Sequence, residues 1–304
     1  MKTEIIDYFK EIKFDEASHS YTVKGKNLKP VSYVLKDFQE PFDEQKMAFL
    51  VAKKKGISVK EVLDDWHKKR DDSCILGTNV HLFGERFALD KTLKPSNGYE
   101  EAIAKYHISL PEYIRPLCLE LQMYSNDWGI AGTADLLFYN TKTDEIHLRD
   151  YKSNSDLFKN YKGKKLLAPF EDLDDSPFNK YQLQLSLYQI LFEQIGYKIK
   201  DRALIWIKSD GTYEIFPTKD FRDRLIEHLN KNYLTRLFSQ ELGVTPAKFI
   251  INYRLNDACQ QLASTTKSIA EIAQSVGYTN QFNFSTAFKK AKGLTPFEWR
   301  SLYR

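Results

Sequence analysis

The sequence predicts an α/β (α+β) fold, in which a central mixed sheet is flanked by helices and followed by an all-α region. Two stretches rich in β-prone residues flank a short polar turn near residue 142, which predicts a strand hairpin. Residues 181–194 form one long stretch that predicts a helix, and residues 268–293 predict helix, turn and helix. A chain of 304 residues can hold one large core and a smaller second one.

The predicted hairpin brings two aspartates together. The polar turn covers Thr141–Asp144. A symmetric hairpin about this turn places Asp135 opposite Asp150, with Cβ atoms about 5 Å apart. Because strand side chains alternate between faces, Lys152 lies on the same face as Asp150. We therefore expect two carboxylates and an ammonium group to converge on one patch.

Such a patch has a recognisable chemistry. Asp135 and Asp150 can hold Mg²⁺ or Mn²⁺ through hard oxygen ligands, while Lys152 orients or deprotonates a nucleophilic water. These roles suit phosphodiester hydrolysis, in which the metal polarises the phosphate and neutralises the charge of the transition state. The alternative is an ordinary solvated hairpin with surface charges, and the hairpin alone leaves both interpretations open.

Two helices carry further candidate residues. The run ILGTNVHLFGERF predicts a helix that begins at about Thr78, whose hydroxyl caps the first turn. His81 is either a third metal ligand of the patch or a structural histidine. In the later run YQLQLSLYQILFEQ, Gln184 and Tyr188 share one helical face, where they read in isolation as surface residues.

Taken in order, these motifs resemble the PD-(D/E)XK nuclease superfamily, in its RecB-like and phage exonuclease branch, over residues 14–216. The motifs are G-x-x-x-H at 77–81, an acid at 120, G-x-x-D at 132–135, D-x-K at 150–152 and Q-x-x-x-Y at 184–188. The resemblance implies a restriction-endonuclease-like core and catalysis by Asp135, Asp150 and Lys152. It implies metal ligation by His81, Glu120, Asp135, Asp150 and the backbone carbonyl of Tyr151. It places Gln184 and Tyr188 beside the active centre, where they contact DNA or support the site.

The composition limits the accessory parts. The three cysteines, Cys74, Cys118 and Cys259, are far apart, which excludes a disulfide framework, a zinc ribbon and a four-cysteine iron–sulfur cluster. No phosphate-loop motif is present, so ATP-driven unwinding would require a helicase or recombination protein as partner. No signal peptide or apolar run of transmembrane length is found, so we expect a cytoplasmic protein without a membrane partner.

The last part of the chain is basic. Residues 219–304 carry 13 Lys and Arg against 7 Asp and Glu, whereas the remainder carries 32 against 34. Within it, Ser268 and Glu271 form a capping-box pattern, Gly277 is a stop signal, and Asn280 precedes a helix that buries Phe284 and Phe288. A helix pair of this kind can lay its second helix in the major groove of DNA, although a plain helical hairpin has the same spacings.

Residues 232–304 resemble the AraC/XylS DNA-binding domain, which has two helix-turn-helix units joined by a long helix, here near Pro246 to Ala263. The resemblance implies two sets of DNA-facing residues: Asn232, Thr235 and Arg236 in the first unit, and Gln281, Phe282, Ser285 and Thr286 in the second. Lys289 and Lys290 add phosphate contacts. Thr286 stands where the family often has arginine, which argues against strong guanine recognition there. Family members carry some twenty-five more residues before NYLTRLF, so the first unit is expected to be incomplete.

The sequence thus predicts a PD-(D/E)XK domain at 1–218, a junction at 219–231 and an AraC-like region at 232–304. The favoured function is a phage-related, Mg²⁺-dependent deoxyribonuclease, an exonuclease rather than an endonuclease, with a DNA-binding tail. The alternative is a DNA-binding transcriptional regulator that carries an inactive nuclease-like domain. The sequence does not specify cleavage polarity, target sequence or oligomeric state.

Overall fold

The fold is that of a computed structural model, which describes residues 1–16, 18–161 and 163–304. The chain forms two units, Met1–Leu229 and Asn230–Arg304. The first unit is mixed α/β and the second is entirely helical, as the sequence predicts. The boundary between them falls inside one helix, Arg222–Leu242.

A mixed sheet forms the centre of the first unit. Its strands are β1 (Ile12–Asp15), β2 (Ser20–Val23), β3 (Lys26–Pro30), β4 (Ile114–Ser125), β5 (Ile130–Asn140), β6 (Glu145–Lys152), β7 (Ile199–Ile207) and β8 (Tyr213–Pro217). Neighbouring strands follow the order β1-β2-β3-β5-β6-β7-β8, and β4 pairs with β5. The β3–β5 and β6–β7 pairs are parallel and the others antiparallel.

Helices cover both faces of this sheet. They are α1 (Lys2–Phe9), α2 (Val31–Val34), a 3₁₀ turn (Leu35–Phe38), α3 (Glu44–Lys55), α4 (Val59–Leu89), α5 (Gly98–Ser109), α6 (Pro177–Glu193) and α7 (Arg222–Leu242). Side chains at the end of β5 alternate between the faces: Leu136 and Phe138 pack with residues of α4 and α5, whereas Leu137 packs in the cluster that contains α6.

The β5–β6 hairpin has the predicted register. Its turn spans the four residues between Asn140 and Glu145, and Leu136 lies opposite Arg149. Just beyond this pair, the Tyr151 amide of β6 donates to the Asp135 carboxylate of β5 at 2.9 Å. The polar turn and the strand alternation were therefore sufficient to predict the register of this hairpin.

The predicted start of α4 is wrong. The helix begins at Val59 rather than near Thr78, because Ser58 and Glu61 form a capping box well before Thr78 in the chain. The Ser58 hydroxyl accepts the Glu61 amide at 3.1 Å, and the Glu61 carboxylate accepts the Ser58 amide at 2.8 Å. Thr78 therefore lies within a helix of 31 residues and caps nothing.

The second unit contains α8 (Pro246–Ser264), α9 (Ile269–Ser275), α10 (Gln281–Lys292) and α11 (Pro296–Tyr303) after the end of α7. The predicted signals are confirmed: Ser268 and Glu271 form a capping box, Gly277 adopts a φ of +83°, and Asn280 caps α10. Phe284 and Phe288 are fully buried in a core with Leu255, Leu262 and Ile272.

In the described part of the chain, none of the helices has the length and apolar character needed to cross a membrane.

Candidate functional site

The outward face of α10 is the first candidate site. Phe284 and Phe288 are fully buried, and at 100° per residue the opposite side of the helix carries Phe282, Thr286 and Lys289. All three are exposed, as are Gln281 and Lys290. Ser285 lies nearer the core and is half-buried. The buried aromatic pair therefore fixes which side chains α10 presents to solvent.

The turn between α9 and α10 is built from local hydrogen bonds. The Asn280 side chain accepts the amide of Asn283 at 2.8 Å, which satisfies an otherwise unpaired amide of the first turn. Tyr278 in the turn packs its ring against Phe284, with centroids 5.4 Å apart. This turn holds α10 against α9, as in a helix-turn-helix whose second helix enters the major groove.

The predicted first set of DNA-facing residues lies on α7. Asn232 and Thr235 are exposed, while Arg236 is half-buried with its guanidinium over the Tyr233 ring at 5.6 Å. The Thr235 hydroxyl donates to the carbonyl of Lys231 at 2.8 Å. Residues 222–242 form one continuous helix, so Asn232, Thr235 and Arg236 all lie within α7.

A cluster of metal-ligand groups lies in the first unit. His81 of α4, Glu120 of β4 and Asp135 of β5 bring one ligand atom each within 4.8 Å of the others. His81 Nδ1 lies 3.3 Å from Asp135 Oδ2 and 3.6 Å from Glu120 Oε1. Glu120 has a φ of +47°, in the left-handed region that non-glycine residues rarely adopt. One imidazole and two carboxylates form a donor set that fits a divalent cation.

The other predicted site residues of β6 are placed differently. Asp150 is buried and forms an ion pair with Lys152, whose ammonium also lies 4.6 Å from the centre of the Tyr181 ring. The Tyr151 amide donates to Asp135 Oδ2 at 2.9 Å. The three-residue cluster thus lacks Asp150, whose carboxylate pairs with the Lys152 ammonium.

The charges of this region shift its pKa values. Burial lowers the pKa of His81, but the Asp135 and Glu120 carboxylates outweigh burial and raise it to about 10. Burial, together with the nearby Asp135 charge, raises the pKa of Asp150 to about 6. Burial also raises the pKa of Glu120. Burial opposes ionisation of Asp135, yet the charges of His81 and Lys152 leave its pKa below the ordinary value.

Gln184 and Tyr188 support the sheet. The Gln184 amide donates to the Tyr188 hydroxyl at 2.8 Å, and Tyr188 is buried. A Cβ at Gly132 would lie 2.7 Å from the Tyr188 ring, so this position needs glycine to admit the ring. Because Tyr188 is buried, of the two predicted roles for this pair we favour support of the site over contact with DNA.

Sequence reasoning missed a buried contact behind the cluster. Tyr151 and His107 are both buried and hydrogen-bonded to each other through the phenol and Nε2. A Cβ at Gly84 would lie 2.4 Å from the Tyr151 ring, whereas one at Gly77 would meet open space. Gly84, outside the predicted motif, is therefore the glycine of α4 that packing requires.

Comparisons with known proteins concern mainly the helical region. The family model described as a helix-turn-helix domain matches residues 226–301. The HTH-type transcriptional regulator YisR of Bacillus subtilis is 31% identical over 144 residues, which are 44% of this chain and 50% of YisR. The raffinose operon transcriptional regulatory protein RafR of Pediococcus pentosaceus is 38% identical over 138 residues, which are 42% of this chain and 50% of RafR. The chain spans half or less of the curated relatives it matches.

A solved transcriptional regulator from Chromobacterium violaceum, described as having an AraC-type DNA-binding domain, is 34% identical. The match covers 26% of this chain and 72% of that one, with a TM-score of 0.23.

These findings overturn the favoured function. The curated relatives are named as transcriptional regulators, so the prediction of a Mg²⁺-dependent deoxyribonuclease is wrong, and so are the nuclease, hydrolase and exonuclease assignments. The helix-turn-helix match supports DNA as a partner and gives no support to a helicase partner. Residues 226–301 match a helix-turn-helix domain.

Proposed function

We propose that this chain is a cytoplasmic, DNA-binding transcriptional regulator that binds duplex DNA through the outward face of α10. One observation carries the proposal: within the matched helix-turn-helix region, the core of Phe284 and Phe288 leaves Phe282, Thr286 and Lys289 facing outward. The names of YisR and RafR, both regulators, support the regulatory class. The basic last turn of α10 suits phosphate contacts.

The other DNA-facing residues contribute to DNA binding to different degrees in this proposal. Gln281 and Ser285 flank the outward face and reach bases or sugar at its edge. Lys290, beside Lys289, neutralises a backbone phosphate. Asn232, Thr235 and Arg236 contribute less, since Arg236 is half-buried with its guanidinium over the Tyr233 ring.

A binding measurement with charge-reversed variants tests this function. Fluorescence anisotropy of the full chain with a random-sequence 30-base-pair duplex should show binding that Lys289→Glu weakens severalfold. Lys54→Glu, an equally exposed lysine of α3, is the matched control and should change binding little. An absence of duplex binding, or equal loss in both variants, would refute α10 as the DNA-binding element.

The first unit is proposed to have a restriction-endonuclease-like fold that binds Mg²⁺ or Mn²⁺. His81, Glu120 and Asp135 would hold the cation, since one nitrogen and two oxygen ligands already converge there. A bound cation would neutralise the two carboxylates and join α4 to β4 and β5. Asp150 and the Tyr151 carbonyl are outer candidates, because Asp150 already pairs with Lys152.

Cation binding can be measured without any assay of catalysis. Calorimetric titration of the full chain with Mn²⁺ should give a binding isotherm that His81→Gln and Asp135→Asn weaken by on the order of 10–100-fold. The matched control is His67→Gln, since His67 lies on the same helix and contacts Glu44 at 3.1 Å near the surface. Unchanged titrations in the first two variants would remove the cation site.

The same cation provides a check on the regulatory class. Linear duplex DNA incubated with the full chain and Mn²⁺ should remain intact. Cleavage that is lost in Asp150→Asn would contradict the proposal of a regulator without nuclease activity.

A further inference from the structure

Phe282 is exposed to an unusual degree for a large apolar side chain. At 79%, its exposure is the highest among the large hydrophobic residues of the described part of the chain. It lies in the first turn of α10, two residues before the fully buried Phe284. Single exposed apolar residues are common on protein surfaces, so exposure alone assigns no role. The position of Phe282 on the DNA-binding element is the second observation.

The geometry of α10 places Phe282 on the outward face that is proposed to bind DNA. Phe282 and Thr286 are one helical turn apart, and both lie opposite the buried stripe of Phe284 and Phe288. Their Cα atoms are separated by about 6 Å along the helix axis at 1.5 Å per residue. Base pairs follow each other at about 3.4 Å, so the two side chains reach positions about two base pairs apart.

The chemistry of Phe282 and Thr286 favours contact with thymine over the other bases. The C5-methyl group of thymine is an apolar feature of the major groove, and phenylalanine rings and threonine methyl groups are the side chains that contact it. Neither Phe282 nor Thr286 supplies the two parallel donors that arginine or lysine directs to guanine. We infer that the outward face of α10 recognises thymine methyl groups in the major groove through Phe282 and Thr286. This inference rests on the proposed function.

Removal of the thymine methyl group tests the inference directly. Duplexes that bind the full chain would first be selected from a random-sequence pool, with chelator present, and the selected sites should contain thymines about two base pairs apart. Each thymine would then be replaced by deoxyuracil, which differs only by the methyl group. Loss of one buried methyl group should weaken binding about fourfold, which corresponds to about 0.8 kcal/mol.

Variants of Phe282 and of a control residue show whether the effect of the thymine methyl group depends on Phe282. Phe282→Ala should weaken binding to the thymine duplex about fourfold or more, and should abolish the difference between thymine and uracil at the one position that Phe282 contacts. At the position that Thr286 contacts, the same variant should keep that difference. The matched control is Phe297→Ala on α11, which removes another largely exposed phenylalanine of the same unit. That variant should retain the full difference between thymine and uracil.

The outcomes separate this inference from the proposed function. Binding that is indifferent to uracil overturns thymine recognition and leaves DNA binding intact. Equal weakening of Phe282→Ala on both duplexes also overturns it, since a ring wedged between base steps would lose affinity in that way. An absence of DNA binding by the full chain refutes the proposed function, and the inference with it.

Discussion

Asp135 links the parts of the candidate metal cluster. Its Oδ2 atom lies 3.3 Å from His81 Nδ1 and accepts the Tyr151 amide at 2.9 Å. A buried carboxylate is costly unless hydrogen bonds or opposite charges compensate it. Both kinds of partner are present, which explains why the pKa of Asp135 stays below its ordinary value in spite of burial.

His107 provides a prediction of pH dependence at the same scale. Burial, assisted by the Lys91 charge, lowers the pKa of His107 to about 4, from an ordinary value of 6.5. Between these values the unfolded chain binds a proton that the folded chain does not. This contribution to stability is complete above pH 6.5 and is lost as pH falls towards 4, by on the order of 3 kcal/mol.

Urea unfolding at a series of pH values checks this prediction. Glutamine cannot titrate and can still hydrogen-bond to the Tyr151 hydroxyl, so His107→Gln should flatten the pH dependence between 6.5 and 4. His67→Gln, at the surface, should leave the slope as in the unchanged chain. A slope that persists in His107→Gln would show that other groups cause it.

Sequence reasoning at the residue scale worked where neighbours are fixed by register. The register of the β5–β6 hairpin was predicted from a turn and an alternation, both local. The Asp150–Lys152 ion pair, the His107–Tyr151 contact and the need for Gly84 were missed. Each depends on which side chains meet in three dimensions, and no periodicity in the sequence encodes that.

At the scale of elements, the starts of helices α4, α9 and α10 are set by the residues that cap their first turns. The starts of α9 and α10 were predicted because Ser268 and Asn280 are the actual caps. The start of α4 was misplaced because Thr78 is a good cap residue in a helix that Ser58 had already begun. A cap residue thus marks a helix start only when the preceding chain is not helical.

The core of the second unit yields a prediction for α10. Phe288 is fully buried, with its ring 5.7 Å from Trp299 and 5.5 Å from Phe284. Phe288→Ala removes a large ring from a small core, so we expect a loss of about 3–5 kcal/mol of stability. Hydrogen exchange of the α9 and α10 amides should become much faster, and DNA binding should be lost.

The matched control is again an exposed ring. Phe297→Ala should change stability by no more than about 0.5 kcal/mol, since Phe297 is 69% exposed. Unaltered exchange of α10 in Phe288→Ala would mean that the helix does not depend on this core.

At the scale of the whole molecule, the motifs of the first unit did not predict the function correctly. The motifs of the first unit suggested a nuclease, and the structure does assemble His81, Glu120 and Asp135. The related proteins nevertheless are named as transcriptional regulators. A resemblance at the level of the fold does not establish an activity, and the sequence alone therefore ranked the two functions wrongly.

The distribution of charge gives the last prediction. Residues 219–304 are basic while the remainder is nearly neutral, so phosphate contacts should come from the tail. DNA affinity should fall with salt by about 0.9 log units per log unit of salt for each neutralised phosphate. The double change Lys289→Ala and Lys290→Ala should reduce this slope by up to about 1.8, as measured by anisotropy across salt concentrations.

A matched double variant separates position from net charge. Lys54→Ala and Lys55→Ala remove the same charge from exposed positions at the end of α3. If α10 carries the phosphate contacts, this variant keeps the original slope, because counterion release depends on contacts and not on overall charge. Equal slopes for the two double variants would mean that the protein is attracted to DNA only by its total charge.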